Sequence, residues 1–176
     1  MKNESEPSPH RSMGRGMLTI AWLMGLFLLT AIFGNWEQSR INPNEEPESH
    51  TTAEGLQQVV LKKNRYGHYV TTGFINGEEV VFLVDTGASN VSIPAGLARE
   101  LGLKEGRRYV ADTANGPVTV YASVIDRLQI GSIILNHVDA SINPGMGGNE
   151  ILLGMSALAQ VEFTHRGNQL TITQRF

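Results

Sequence analysis

The stretch Val80–Ser89, VVFLVDTGAS, joins an apolar run to a short polar turn. The run Glu79–Val84 is too uniformly apolar to alternate between core and solvent, so it predicts a buried β-strand. An ionised Asp85 at the end of such a strand is costly unless the carboxylate is hydrogen-bonded or shares a proton. Gly87 permits a tight turn that aims backbone N–H groups at the carboxylate, and Thr86 supplies a hydroxyl for the backbone. The same residues are common in ordinary polar turns, so Asp-Thr-Gly alone leaves both interpretations open.

The sequence on both sides of this stretch is rich in strand and turn signals. Two separate strands are predicted at Val118–Val124 and Asp126–Ile130, and short helical segments at Pro94–Gly102 and Met155–Gln160. The pattern predicts a mainly β domain over residues 55–176, closed into a barrel or sandwich, with one or two short helices. Its hairpin turns are predicted at Asn76-Gly77, Asn115-Gly116, Gly131-Ser132 and Gly167-Asn168.

The first part of the chain has a different composition. Met17–Phe33 is an uncharged apolar run, and with the residues that follow it predicts a single transmembrane helix over 17–36. Basic residues are concentrated before it, so residues 1–16 are predicted to be a cytoplasmic tail and the domain periplasmic or otherwise extracytoplasmic, anchored in the inner membrane. A cleaved signal peptide is the alternative, although the run is long for one and no Ala-x-Ala site follows. The basic residues before the run are Lys2, Arg11 and Arg15.

Residues 37–54 are polar, acidic and proline-containing, with almost no large apolar side chain. A segment of this composition buries too little apolar surface to fold by itself. It therefore predicts a flexible linker between the membrane span and the domain.

Composition and motifs exclude several chemistries. The formal net charge of −3 implies no strongly basic face, so no nucleic-acid partner is predicted. The chain has no cysteine, and its five histidines lack paired metal-ligand spacing. No phosphate-binding loop is present, and neither a metal nor another cofactor is predicted. Ser156 lacks the following glycine that a nucleophile elbow needs, and it is predicted to start or cap a short helix. Carboxylate chemistry remains.

The context of Asp85 raises the significance of the tripeptide. The chain also contains Tyr66-Gly67-His68-Tyr69, Asn76-Gly77, Thr113–Gly116 and Leu152–Ser156, in addition to Val84–Ser89 itself. This motif set resembles the retropepsin-like (clan AA) aspartic peptidases, in particular their bacterial branch with one N-terminal transmembrane anchor. The resemblance covers roughly residues 56–175 and implies a retropepsin-like closed β-barrel domain that hydrolyses peptide bonds.

The resemblance implies that Asp85 is the catalytic carboxylate and that it acts with a second one. Asp112 is followed by Thr-Ala rather than Thr-Gly and is interpreted as structural, while Asp126 and Asp139 lie in hairpin strands without the motif. The second carboxylate must then come from a second copy of the chain in a homodimer.

Other residues receive roles from the same resemblance. Thr86, Gly87 and Ala88 are expected to support the active-site loop, with Thr86 bracing the loops of the two copies. Leu152, Leu153 and Gly154 are expected to lie beside that loop. The tip of a flap that closes over a polypeptide substrate is expected at Ala114, Asn115, Gly116 and Pro117.

One feature departs from the retroviral pattern, in which the terminal strands of two subunits are interleaved. Here the chain is predicted to end in its own hairpin over Val161–Thr173. Two functions follow as hypotheses: a membrane-anchored, homodimeric aspartic endopeptidase, or a non-catalytic peptide-binding or assembly module with the same fold.

Overall fold

The computed structural model describes residues 9–113 and 116–174, with side chains over those ranges apart from 9–15 and 34–39. The chain divides after Gln38 into two compact units. The first contains most of helix α1, Pro9–Ile41. Its segment Gly16–Phe33 has a mean hydropathy of 2.1 and no buried residue, and 18 residues of helix extend about 27 Å. This helix is long and apolar enough to cross a bilayer, a property that signal sequences near the N-terminus share.

The second unit is mainly β, as predicted. The first half of its chain forms β1 (Glu48–Thr51), β2 (Gln57–Lys62), β3 (Val70–Ile75), β4 (Glu78–Val84), β5 (Val91–Pro94) and helix α2 (Ala95–Glu100). The second half forms β6 (Arg108–Thr113), β7 (Gly116–Ile130), β8 (Ile133–Asn143), β9 (Glu150–Leu153), helix α3 (Met155–Leu158), β10 (Glu162–Arg166) and β11 (Gln169–Gln174).

Seven strands form one sheet in the order β3-β4-β9-β5-β8-β7-β6, and a further pairing of β3 with β7 closes it. Closure makes a barrel from which the β6–β7 hairpin projects. Strands β4 and β9 run parallel inside it, flanked on both sides by other strands, which explains why both read as continuous apolar runs. Phe82 and Ile151 are neighbours in that pairing, and both are fully buried.

The remaining strands form a separate four-stranded sheet in the order β1-β2-β11-β10. Its inner strands alternate between core and surface. Val59 and Leu61 of β2 and Leu170 and Ile172 of β11 are buried and belong to the same hydrophobic core as the barrel. The period-2 pattern of these strands fits a sheet with one face covered.

The predicted turn at Asn76-Gly77 is confirmed. Both residues have positive φ, 53° and 95°, as a two-residue type I′ hairpin requires. The prediction of two strands over 118–130 is wrong, because β7 runs unbroken from Gly116 to Ile130. Asp126 interrupts the apolar pattern and lacks a paired residue on β8, but the strand continues and the register with β8 is the same on both sides of it.

The predicted flexible linker over residues 37–54 is corrected by the structure. Helix α1 extends to Ile41, and Glu48–Thr51 form strand β1, paired with β2. Between them Asn42 and Asn44 are buried, each 3% exposed. Composition misled here because hydrogen bonds, rather than apolar burial, hold this segment to the domain.

Asn44 is the centre of those hydrogen bonds. Its side-chain amide donates to the carbonyls of Lys62 (3.0 Å) and Val70 (2.6 Å), and its side-chain oxygen accepts from Lys62 N–H (2.7 Å). Its own carbonyl accepts from Thr72 N–H at 3.0 Å. Asn42 adds a bond from its amide to the Thr72 hydroxyl at 2.9 Å. The asparagine thus satisfies backbone groups of β2 and β3 where the two sheets separate.

Replacing Asn44 by alanine is expected to lower the free energy of unfolding by about 3 kcal/mol, because the buried carbonyl of Val70 and the partly buried backbone groups of Lys62 lose this partner. Denaturant unfolding of the full chain in detergent micelles measures the change. Asn136→Ala is the matched control, since Asn136 is exposed on β8. A loss from Asn44→Ala no larger than that of the control would contradict this role.

Candidate active site

Asp85 stands directly after β4, where that strand leaves the closed sheet. Its N–H donates to the carbonyl of Leu153 at 3.1 Å, which continues the parallel pairing of β4 and β9 by one more bond. The residue is half-buried, whereas Thr86 and Gly87 are exposed. The barrel therefore fixes the backbone of Asp85 and leaves its turn open to solvent.

The turn holds the carboxylate as the sequence predicted. Gly87 N–H donates to Asp85 Oδ1 at 2.9 Å, and Ala88 N–H donates to the Asp85 carbonyl at 3.2 Å. A Cβ on Gly87 would lie 3.2 Å from the same Oδ1, which is tighter than ordinary contact. Glycine thus lets the backbone approach the carboxylate. The hydrogen bond from Gly87 N–H partly offsets the cost of removing the carboxylate from water.

A second chain segment runs alongside this turn. Leu152 and Leu153 end strand β9, and after Gly154 the N–H of Met155 donates to the Ala88 carbonyl at 2.8 Å. A Cβ on Gly154 would lie 2.6 Å from the carbonyl carbon of Asn90 and 2.7 Å from the Ala88 oxygen. The end of β9 and Gly154 thus run beside the loop that begins at Asp85, and Gly154 closely approaches the backbone of that loop.

Ser156 has a different place from the predicted one. The N-terminal cap of α3 is Gly154, and no side chain caps the helix. Ser156 Oγ instead accepts from Val91 N–H at 3.0 Å and donates to the Asp139 carbonyl at 2.6 Å. It therefore bridges the end of the active-site loop to strand β8. Sequence reasoning missed this role because both partners are backbone groups distant in the chain.

The residues predicted to form the flap tip belong to the segment that connects β6 and β7. Of its predicted tip, Ala114 and Asn115 lie outside the described residues, while Gly116 begins β7 with a φ of 101°. Thr113 Oγ1 donates to the Gly116 carbonyl at 2.7 Å, and Pro117 lies opposite Asp112.

The hairpin projects into solvent and is joined to the active-site loop at its base. Val110 is 65% exposed. Nearer the barrel, the Asn90 amide donates to the Tyr109 hydroxyl at 3.1 Å. This contact ties β6 to the loop that begins at Asp85, and neither residue was singled out in the sequence.

The other carboxylates considered in the sequence lie on different parts of the domain. Asp112 is on the projecting hairpin, and the side chain of Asp139 is exposed on β8. Asp126 lines an open depression of about 680 Å³ together with Asn76 and Arg127. Strand β4 separates Asn76 from Asp85 by about 20 Å, so this depression is not the Asp85 site. Over residues 16–33, 40–113 and 116–174, no cluster of three or more His, Cys, Asp or Glu could hold a metal ion.

Tyr69 is a half-buried residue close to strand β4, which precedes Asp85. Its carbonyl accepts from Val84 N–H at 2.9 Å. Its hydroxyl is buried without a hydrogen-bond partner among the residues that the structure describes, and burial raises the pKa of that hydroxyl. In strand β1, the hydrogen bond from Lys62 lowers the pKa of Glu48, at an Nζ–Oε1 distance of 2.6 Å.

Comparison with known proteins places this arrangement in a family. Residues 71–160 match the family described as "gag-polyprotein putative aspartyl protease". The match includes Asp85, the hairpin and Gly154. The chain belongs to this aspartyl protease family.

Individual relatives extend the match. An uncharacterized protein in the cobV 5′ region of Sinorhizobium sp is 32% identical over 168 residues, which cover 88% of this chain and 71% of that protein. The uncharacterized protein RP867 of Rickettsia prowazekii is 32% identical over 110 residues, covering 57% of this chain and 44% of that protein. Among solved structures, a retropepsin-like aspartic protease from Rickettsia conorii superposes with a TM-score of 0.57 at 22% identity, covering 73% of this chain and 96% of that one. The fold is thus retropepsin-like.

Replacing Ser156 by alanine in this protease-family chain is expected to lower the free energy of unfolding by about 1–2 kcal/mol and to reduce any peptidase activity about tenfold. The reason is that Val91 N–H and the Asp139 carbonyl lose their bridge, and the active-site loop loses a tie. Ser123→Ala is the matched control, because Ser123 is buried on β7 and donates to the Lys104 carbonyl at 3.0 Å. Equal losses of activity in both variants would contradict a positioning role for Ser156.

Proposed function

We propose that the protein is an aspartic endopeptidase, anchored to the membrane by α1, whose active unit is a homodimer with one Asp85 from each chain. The observation that carries the proposal is the geometry of the Asp85 turn. A half-buried carboxylate accepts a backbone N–H from Gly87 at 2.9 Å, at the open end of a closed barrel. Membership of an aspartyl protease family supports the same chemistry.

The proposed reaction uses a water molecule between the two Asp85 carboxylates, which share one proton. The unprotonated carboxylate takes a proton from the water as its oxygen attacks the scissile carbonyl carbon. The protonated carboxyl donates a hydrogen bond to the carbonyl oxygen, and a proton passes to the amine nitrogen as the C–N bond breaks. The two groups titrate as a coupled pair, so the pH dependence of cleavage belongs to the dimer.

A homodimer is proposed because the chain contains a single Asp-Thr-Gly. The alternative carboxylates Asp112, Asp126 and Asp139 lie on the hairpin, at the depression and on the exposed face of β8. A two-fold axis beside the exposed Thr86 and Gly87 would bring two Asp85 turns together. Thr86, Gly87 and Ala88 then support the paired loops.

The substrate is proposed to be an extended polypeptide. The β6–β7 hairpin, with its tip at Ala114, Asn115, Gly116 and Pro117, would close over the substrate. The Tyr109–Asn90 hydrogen bond supports this because it connects the hairpin to the catalytic loop.

The proposed location is the inner membrane, with residues 1–16 cytoplasmic and the protease domain periplasmic or extracytoplasmic. This location is inferred from the predicted transmembrane helix over residues 17–36 and from the basic residues that precede it. Asn42 and Asn44 are fixed in the domain, and in the sequence they follow the proposed span by only a few residues. Substrates would accordingly be polypeptides that come close to the membrane.

Profiling of a diverse peptide library tests the proposal, with the full chain in micelles at a series of chain concentrations. Cleavage is expected, and the specific activity should rise with concentration until the dimer is saturated. Specific binding of peptides without any cleavage between pH 3 and 8 would favour a non-catalytic peptide-binding or assembly module and contradict the proposal.

A further inference from the structure

Strand β10 is an open edge of the four-stranded sheet. It comprises Glu162–Arg166, pairs only with β11 among the strands of the described chain, and has all five residues exposed. An edge strand presents unpaired N–H and C=O groups and readily accepts another strand. β10 is therefore a surface at which a second chain can add to the sheet.

The face of β10 that continues the core-facing side of the sheet is only partly covered. Phe163 lies opposite Ile172, so the two side chains share a face of the sheet. Ile172 is 2% exposed, whereas Phe163 is 39% exposed. His165 lies opposite the buried Leu170 in the same way and is exposed. On the core-facing side of the sheet, the side chains of β11 are therefore buried in the core of one chain, whereas those of β10 remain exposed.

The sequence of β10 is complementary to itself when it is reversed. An antiparallel pairing of two copies centred on Thr164 places Glu162 opposite Arg166 of the other copy, Phe163 opposite His165, and Thr164 opposite Thr164. Opposite charges, two aromatic rings and a threonine pair are the kinds of cross-strand neighbour that stabilise antiparallel sheets. A pairing of this kind is isologous, as a two-fold dimer requires.

We propose that β10 pairs antiparallel with β10 of a second copy, with Thr164 on the two-fold axis, so that the four-stranded sheets of both chains become one continuous sheet. This inference rests on the proposed function only in that the shared site requires a homodimer. β10 would be the surface that holds the dimer together. Strands β10 and β11 pair with each other within one chain, so they are not exchanged between subunits.

The other edge of the sheet, β1, lacks these properties. Its inward residue Ser49 already contacts the barrel, because Ser49 Oγ accepts from Ser132 N–H at 3.2 Å. A two-fold pairing of β1 would place Glu48 opposite Thr51, with neither a charge pair nor a large apolar side chain.

β10 also lies close to the strand that leads to Asp85. The His165 ring packs edge-on against the Tyr69 ring with centroids 6.0 Å apart, and the Tyr69 carbonyl accepts from Val84 N–H. Val84 immediately precedes Asp85. β10 is therefore linked through Tyr69 to the end of β4, the strand that precedes Asp85.

Cysteine cross-linking of the full chain in micelles tests the register. The chain has no cysteine, so Thr164→Cys introduces a single thiol. Residues opposite each other in an antiparallel pair have Cα atoms about 4.5–5.5 Å apart, which suits a disulfide. His50→Cys is the control, because His50 is exposed on the same sheet face at the β1 edge. Covalent dimers at Thr164→Cys in clear excess over the control are expected, and equal yields would overturn the proposal.

Exchange of charges tests the same pairing without a covalent bond. Glu162→Arg and Arg166→Glu should each weaken dimerisation roughly 10- to 100-fold, because each places two like-charge pairs at the interface. A mixture of the two variants should form a heterodimer with restored pairing. Native mass spectrometry of the mixture distinguishes it from both parents. Failure of the mixture to form heterodimers, although each variant is folded, would overturn the interface.

The two proposals fail separately. Cross-linking at Thr164→Cys without peptide cleavage would leave the β10 interface standing and remove the protease function. Cleavage by a dimer that neither cross-links at residue 164 nor responds to charge exchange would keep the protease and remove this interface.

Discussion

Replacing Asp85 by asparagine is expected to reduce peptide cleavage at least about 10³-fold while the domain stays folded. Activity falls because an amide can neither take a proton from water nor share one with the opposite carboxylate. The fold persists because the asparagine side-chain oxygen still accepts the Gly87 N–H that now lies 2.9 Å from Asp85 Oδ1. Rates of cleavage of a library-derived peptide, together with the melting temperature of the full chain, measure both effects.

Asp112→Asn is the matched control for this prediction. It removes the same charge from the exposed β6–β7 hairpin, away from the Asp85 turn, and should leave at least half of the activity.

Mixing unmodified chains with Asp85→Asn chains provides a second measurement. When a fraction x of the chains carries Asp85→Asn, activity should fall as (1 − x)², because only dimers with two aspartates are active. A linear fall would contradict a shared site.

Gly154→Ala is expected to have the largest effect on structure. A Cβ at this position meets backbone atoms of Asn90 and Ala88, at 2.6 Å and 2.7 Å from the Asn90 carbonyl carbon and the Ala88 oxygen. Backbone cannot rotate away as a side chain can, so the loop that begins at Asp85 must shift. Overpacking of this kind costs about 1–3 kcal/mol, and the displaced loop should lose about 100-fold or more of any cleavage rate.

The control for this substitution is Gly96→Ala. Gly96 lies in helix α2, where a Cβ would meet nothing within 4 Å. Alanine at this position should stabilise the domain by about 0.5–1 kcal/mol, since alanine favours helix more than glycine does. Thermal unfolding of the two variants should therefore shift in opposite directions. A Gly154→Ala chain with unchanged stability and activity would show that the two loops are not held together as described.

The prediction from sequence succeeded where local signals suffice. The Asn76-Gly77 turn requires only two residues with positive φ, and strand β4 requires only an apolar run, in which Val80 and Phe82 are buried. It failed where a long-range partner decides the outcome. Residues 42–51 look like a linker by composition, yet Asn44 is fixed by carbonyls of Lys62 and Val70, which a composition window does not contain.

Ser156 and Tyr109 illustrate the same limit within the site. No local sequence signal predicts the contacts of either residue, because each forms hydrogen bonds with groups that are distant in the chain. Ser156 bridges Val91 and Asp139, and Tyr109 accepts from Asn90. Polar side chains of this kind carry no periodic pattern that would reveal a partner in advance.

The sequence by itself determined the strand that ends in Asp-Thr-Gly, the glycine that permits its turn, the apolar N-terminal helix and the family resemblance, because these depend on neighbours within a few residues or on a motif set. Only the tertiary structure decided that Gly154 must be glycine and that Asn44 belongs to the domain. It also decided that Phe163 extends an apolar face beyond the core of one chain. Each of these depends on close approach of backbones or side chains distant in sequence, which folding alone brings together.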